Sequence, residues 1–131
     1  DKKYSEIIRT SISCDRINRK KNQCGVCSNC VLRRQSLFVN QIKDLTIYQN
    51  NLPLNQIEGE LINPLILQLG RIETILRTKD KWGAFCNQYY VLEDYKNDYC
   101  KTYGLASERF QNNTIELYER YIQEWKSIIN F

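Results

Sequence analysis

Four of the six cysteines stand at positions 14, 24, 27 and 30, in the pattern Cys14-x9-Cys24-x2-Cys27-x2-Cys30. Thiolates suit Zn²⁺, which takes four of them in a tetrahedron. A Cys-x2-Cys turn lets two sulfurs reach one ion while nearby backbone N–H groups point at them. Gly25, directly after Cys24, relaxes the backbone as such turns require. Cys27 and Cys30 lie three apart at an expected helix start, where the helix N-terminus favours the thiolate. The spacing predicts a structural zinc site on Cys14, Cys24, Cys27 and Cys30, coordinatively closed and unable to activate water. Two alternatives stay open. An iron–sulfur cluster of the C-x2-C-x2-C-x3-C-P type needs a cysteine and a proline where Arg34 and Gln35 stand. Disulfides would have to join cysteines crowded into seven residues, which makes them poor mutual partners.

Six cysteines in 131 residues fall below the density of secreted disulfide scaffolds. The opening DKKYSEII has no signal-peptide pattern, and no run approaches the roughly 18 apolar residues of a membrane span. The expected setting is the reducing cytoplasm, where clustered cysteines mean metal. With no Met in the chain, Asp1 is not expected to be a natural start, and the chain is expected to be a piece of something longer.

Charge is uneven. Residues 1–34 hold nine Lys/Arg against three Asp/Glu, a net of +6, and the remainder holds ten against twelve, a net of −2. Four thiolates with one Zn²⁺ would carry −2 and lower the formal charge from +4 to +2. The basic residues Arg16, Arg19, Lys20, Lys21, Arg33 and Arg34 are candidate phosphate or nucleic-acid contacts. The favoured reading of this basic end is nevertheless a solvated loop.

Beyond the cysteines the periodicity is helical. A helix from about Ser28 carries Val31, Leu32, Leu37, Phe38 and Ile42 on one face, and the Asn-rich residues 46–56 read as a connection. Asn63-Pro64 opens a second helix running to about Arg77, with Leu65, Leu69, Ile72, Ile75 and Leu76 inward. A third is expected from near Gly83 to Gly104, with Phe85, Tyr89, Leu92, Tyr95 or Lys96, Tyr99 and Tyr103 at helical steps. The last runs from about Ser107 to Ile129, with Phe110, Thr114, Leu117, Tyr121, Trp125 and Ile128 on one stripe. Cys86 and Cys100 would sit about 21 Å apart on one continuous helix, too far to pair. The tyrosines read as core with their hydroxyls at its wet edge, a base-stacking platform being the alternative. Glu93, Asp94 and Asp98 read as a solvated helix face. The expected fold is mainly α, with an N-terminal four-cysteine zinc knuckle over residues 1–45 and a small helical bundle over residues 46–131.

The absences narrow function. With no His there is no Ser-His-Asp or Cys-His nucleophile system and no H-E-x-x-H site. The five glycines are too scattered for a phosphate-cradling loop, and no carboxylate pairs with a nucleophile. Alone, the chain is not expected to be an enzyme or to bind a nucleotide.

The string Ser13-Cys14, Cys24, Gly25, Cys27, Cys30 and Arg33 resembles, in order and spacing, the C-terminal zinc signature of the 7-cyano-7-deazaguanine synthases, ATP-dependent enzymes of queuosine biosynthesis. The likeness covers about residues 8–40. It implies that the four cysteines are zinc ligands and that Arg33 occupies a motif position of unassigned role. In that family a preceding α/β domain grips ATP with an S-G-G-x-D-S loop and converts a 7-carboxy-7-deazaguanine to the nitrile. That loop is absent here, so no catalytic residue carries over, and ATP would enter only through a preceding PP-loop segment. About 90 residues follow the motif, whereas the housekeeping enzymes end soon after it. The run CVLRRQSLF is closer to longer relatives in anti-phage defence operons. The resemblance thus implies a zinc-stabilised C-terminal region that docks its own PP-loop segment or another operon protein, with a homodimer a further expectation. The alternatives are a small zinc module that binds nucleic acid through its basic loop, and a stand-alone protein-interaction domain.

Overall fold

Helix begins where the chain leaves the cysteine run. In a computed structural model of the chain, residues 6–8, 10–14, 22–57 and 62–129 are described. Among them the fold is mainly helical: α1 (Ser28–Val39), a 3-10 turn (Leu54–Gln56), α2 (Asn63–Leu76), α3 (Lys81–Gln88), α4 (Val91–Tyr103) and α5 (Ser107–Lys126). No β-strand occurs among these residues; one parallel bridge joins Gln23 to Tyr48. The chain divides into two units, one of Asp1–Leu67 with Glu124–Phe131 and the other of Gln68–Gln123. Residues 46–57 therefore lie in the same unit as the cysteines.

In the first unit, α1 takes Cys27 as its N-cap residue, and the Val31 amide donates to the Cys27 carbonyl at 2.8 Å. Val31 and Leu37 are buried, but Leu32, Phe38 and Ile42 of the expected apolar face are exposed. The helix closes without a glycine. Gln41 adopts φ 55°, its amide donates to the Phe38 carbonyl, and the Ile42 amide donates to the Leu37 carbonyl, a Schellman closure. Gln35, buried on α1, donates to the Glu124 carboxylate at 3.0 Å and so ties the helix to the end of α5.

α2 starts at Asn63, in the first unit, as its Asn-Pro opening predicts, and its buried residues Leu69, Ile72 and Ile75 lie in the second unit. The single helix expected from Gly83 to Gly104 is instead two. Asp80 caps α3 by accepting from the Gly83 amide at 2.9 Å, and the helix ends at Tyr89, whose backbone leaves the helical region at φ −129°, ψ 75°. The break has an evident gain. Trp82 and Glu93 would stand about 16 Å apart along a straight helix, yet the Trp82 indole donates to the Glu93 carboxylate at 3.0 Å. Lys96 pairs with the same carboxylate and lies over the Trp82 ring at 5.8 Å, which lets its stem bury while its charge stays matched. The Lys96 ammonium first, and the Trp82 indole with it, hold the Glu93 carboxyl below its ordinary value. Glu93 thus anchors this cluster from the helix surface, its side chain about half exposed, and Asp94 and Asp98 are exposed beside it, as a solvated face predicts. At the α4 register position where Tyr95 and Lys96 compete, Lys96 is buried and Tyr95 exposed.

The tyrosines are also redistributed. Phe85, fully buried, stacks on Tyr118 and Tyr89, whereas Tyr90, Tyr95 and Tyr103 are exposed. Of the stripe expected on α5, Trp125 is fully buried and Phe110, Thr114, Tyr121 and Ile128 are half-buried, Leu117 is exposed, and Ile122 is an additional buried position. Gly104, at φ 63°, ends α4 as its position predicts. Cys86 and Cys100 are half-buried free thiols.

Gln41 holds a left-handed backbone at a cost of about 1 kcal/mol relative to glycine. Gln41→Gly is expected to raise the stability of the first unit by about that amount, read as a higher denaturant midpoint at unchanged slope.

Candidate metal centre

Residues 23–30 fold as a turn into a helix start, and the turn draws the sulfurs together. The Sγ atoms of Cys14, Cys24, Cys27 and Cys30 lie within 4.8 Å of one another, and all four residues are buried. Cys24 and Cys30 sulfurs are 4.0 Å apart, and those of Cys27 and Cys14 are 3.9 Å apart. Four thiolates around one ion at ~2.3 Å would have sulfurs separated by roughly 3.8 Å. None of the four is joined in a disulfide. The cluster is thus a four-sulfur set able to share one metal ion.

Backbone amides converge on it. The Cys24 amide donates to Cys14 Sγ at 3.3 Å and the Cys27 amide to Cys24 Sγ at 3.2 Å. Burial raises the Cys24 thiol, but hydrogen bonds from the Val26 and Cys27 amides, with those of the Cys27 and Cys14 side chains, together bring its pKa down to about 7. At Cys30 burial prevails, and its pKa is raised. Gly25 has φ 82°, and a Cβ there would lie 2.1 Å from the Asn50 carbonyl oxygen. Both facts demand glycine at this position.

Cys14 arrives from a distance, and a buried side chain holds its approach. Gln23 accepts from the Ser13 amide at 3.1 Å and the Ser13 hydroxyl at 2.9 Å, while its own amide donates to the Ser11 carbonyl at 3.1 Å. On the other side, the Gln49 amide donates to the Gln23 carbonyl and the Asn50 amide to the Cys24 carbonyl. That pairing lays Tyr48 against the four cysteines, where it is buried with them. The Tyr48 hydroxyl donates to Asp44 at 2.7 Å, and the Thr46 amide donates to the same carboxylate at 3.0 Å. Gln23 carries no spacing signal, because its partners lie ten and twelve residues away; Asp44 with Thr46 and Tyr48 is a local Asx-type arrangement that a reading by helical period passes over.

The predicted basic contacts divide. Arg33 is directed inward: its guanidinium donates to the Ile8 carbonyl, to the Ser11 carbonyl at 3.2 Å and hydroxyl at 2.6 Å, and to the Thr46 hydroxyl at 3.0 Å. Arg34 donates to the Gly25 carbonyl at 3.0 Å and the Leu52 carbonyl at 2.5 Å, with its guanidinium 5.3 Å from the Tyr48 ring centroid. Both therefore brace the cysteine turn. Arg16, Arg19, Lys20 and Lys21 lie outside the described residues. Among the described residues, no helix is long and apolar enough to cross a membrane. No family model, curated protein or solved structure matches this chain.

Two outcomes follow from this geometry. Gly25→Ala should force the turn away from Asn50 at a cost of about 1–3 kcal/mol, weakening metal affinity about 10- to 100-fold in a competition titration with a chromogenic chelator. The second concerns acid. Burial raises the Asp44 carboxyl, but the Thr46 hydroxyl and amide, the Tyr48 hydroxyl and the Arg33 charge bring it below its ordinary value. Its folded pKa is depressed, so the stability it adds is present above the unfolded pKa of about 4 and lost as pH falls through the lower folded value. Asp44→Asn should be less stable than the parent chain at pH 7, and the difference in denaturant midpoint should shrink below about pH 4.

Proposed function

We propose that Cys14, Cys24, Cys27 and Cys30 hold one structural Zn²⁺, and that the chain is the zinc-stabilised C-terminal region of a protein related to the 7-cyano-7-deazaguanine synthases. The observation that carries the zinc reading is the buried set of four sulfurs within 4.8 Å of one another, none of them in a disulfide. Four thiolates packed this closely repel one another, and a divalent cation offsets half of that charge. All-sulfur donors favour zinc over the hard cations, which take oxygen. A site with four protein ligands has no open position, so zinc here would brace the fold and perform no chemistry.

The relationship is supported by the order Ser13-Cys14, Cys24, Gly25, Cys27, Cys30 and Arg33. Two of those positions have physical duties beyond the ligands: Gly25 admits the Asn50 carbonyl, and Arg33 bonds the segment ahead of Cys14. On this reading the chain acts in the cytoplasm beside a PP-loop segment that carries ATP, and its helices are a docking addition. The longer chain after the motif suits the relatives in anti-phage defence operons. The nucleic-acid reading is weaker, because Arg33 and Arg34 are engaged with backbone carbonyls, leaving Arg16, Arg19, Lys20 and Lys21 to support it.

Metal analysis with native mass spectrometry should find one zinc per chain. Chelation should unfold the first unit, and Cys27→Ser should lose the metal, at a cost that reaches roughly 10 kcal/mol or more. A chain that retains its far-UV spectrum and midpoint with no bound metal would overturn the zinc reading. The kinship is tested separately: an S-G-G-x-D-S segment encoded ahead of Asp1 or in a neighbouring gene is expected, and its absence removes the family reading while leaving zinc intact.

A further inference from the structure

One aromatic cluster of the second unit is not consumed by its core. Tyr95, Tyr99 and Tyr103 stand four apart on α4, so their side chains form a row along the helix. Ring centroids are 5.9 Å apart from Tyr95 to Tyr99 and 4.6 Å apart from Tyr99 to Tyr103. Phe110 of α5 contacts the first two rings at 6.1 and 5.4 Å. The ends of the row lie in water: Tyr95 is 57% exposed and Tyr103 64%. None of the three phenol hydroxyls is hydrogen-bonded among the described residues. One residue earlier in the helix runs a second row, of Asp94 and Asp98, both exposed. They too stand four apart, a spacing at which like charges repel. Neither carboxylate forms an ion pair or hydrogen bond among the described residues, and Lys101, a turn further on, pairs with neither.

We infer that this tyrosine row docks a proline-rich segment of a partner, held in the polyproline II conformation and flanked by arginine or lysine. Proline rings pack on aromatic faces, and the polyproline II backbone has carbonyls with no internal partner, which phenol hydroxyls can serve. The row spans about 12 Å along the helix axis, the length of about four polyproline II residues. The unpaired carboxylates beside it attract a cation and repel phosphate, which argues against bases stacking on the same rings. No proline-rich run occurs in the 131 residues, whose two prolines stand apart at 53 and 64, so the occupant lies outside them. The inference deepens the docking role proposed above for the helices and rests on that role, but on nothing in the cysteine cluster.

The test is fluorescence anisotropy on the full chain loaded with zinc, against a fluorescein-labelled peptide of about six prolines with paired arginines at one end. Saturable binding is expected, with a dissociation constant of about 10–300 μM, as suits a small exposed platform. The same peptide with glycine and serine in place of proline should bind at least about tenfold more weakly, because the preformed conformation is lost. Tyr95→Ala and Tyr103→Ala, both on exposed side chains, should each weaken binding about five- to tenfold. Asp94→Asn with Asp98→Asn should weaken it about three- to tenfold and flatten its dependence on salt. Far-UV dichroism reports that each variant is folded. No saturation by about 1 mM, equal binding of the glycine–serine peptide, or affinity unchanged in the folded tyrosine or aspartate variants overturns the inference. So does tyrosine-dependent binding of oligothymidylate tighter than that of the peptide, which would assign the row to single strands. Metal content is measured separately, so this inference and the zinc reading fail independently.

Discussion

The crowding of four sulfurs into a space under 5 Å across is the constraint on which the first unit's organisation depends. Around those sulfurs there is little conventional core: the buried cluster consists of the four cysteines and Tyr48, with Val26 packed against it. A set of polarisable thiols with amides aimed at them occupies the place that branched aliphatic side chains would fill elsewhere. Hydrophobic burial on this scale is worth only a few kcal/mol, against the ~10 kcal/mol or more available from a bound structural zinc. The polar clamp of Gln23 on Ser11 and Ser13 and the left-handed Gly25 make sense as devices that keep the donors convergent.

The arginines follow from the same constraint. A turn that aims its amides at sulfur turns carbonyls outward, and those carbonyls need donors. Arg34 supplies one to Gly25 and bridges it to the Leu52 carbonyl, while Arg33 serves the carbonyls of Ile8 and Ser11 in the segment ahead of Cys14. Positive charge beside the cluster thus has a structural duty, and would also offset the net −2 of a four-thiolate zinc centre. A basic stretch next to a cysteine knuckle invites a nucleic-acid interpretation, but here at least two of its cations are structural braces.

The second unit solves a different problem. Its aromatic residues outnumber the interior positions available, so the chain bends at Tyr89 and Tyr90 and places Trp82, Glu93 and Lys96 in one cluster. Phe85 takes the centre, and Tyr95 and Tyr103 remain at the surface in a ladder of ring contacts with Tyr99 and Phe110. Burying Lys96 rather than Tyr95 is favourable only because a carboxylate and an indole face receive its charge.

Sequence alone determined whatever depends on residue type and short spacing. Among these features are the four-thiol constellation, the glycine after Cys24, the helix beginning at Asn63-Pro64, the closure at Gly104 and the mainly helical class. Each follows from local chemistry: donor softness, left-handed backbone freedom, the fixed φ of proline, a 3.6-residue period. Tertiary structure decided what depends on partners distant in the chain. It chose Gln23 and Tyr48 as the walls of the cysteine cluster, turned Arg33 and Arg34 inward, split the expected third helix and exposed half the apolar face of α1. Gln41 closes α1 with no glycine to announce it, because its conformation is imposed by contacts and not by its own preference. A period reads only neighbours on one element, whereas these choices minimise unmatched polar groups across elements, a quantity that exists only once the chain has folded.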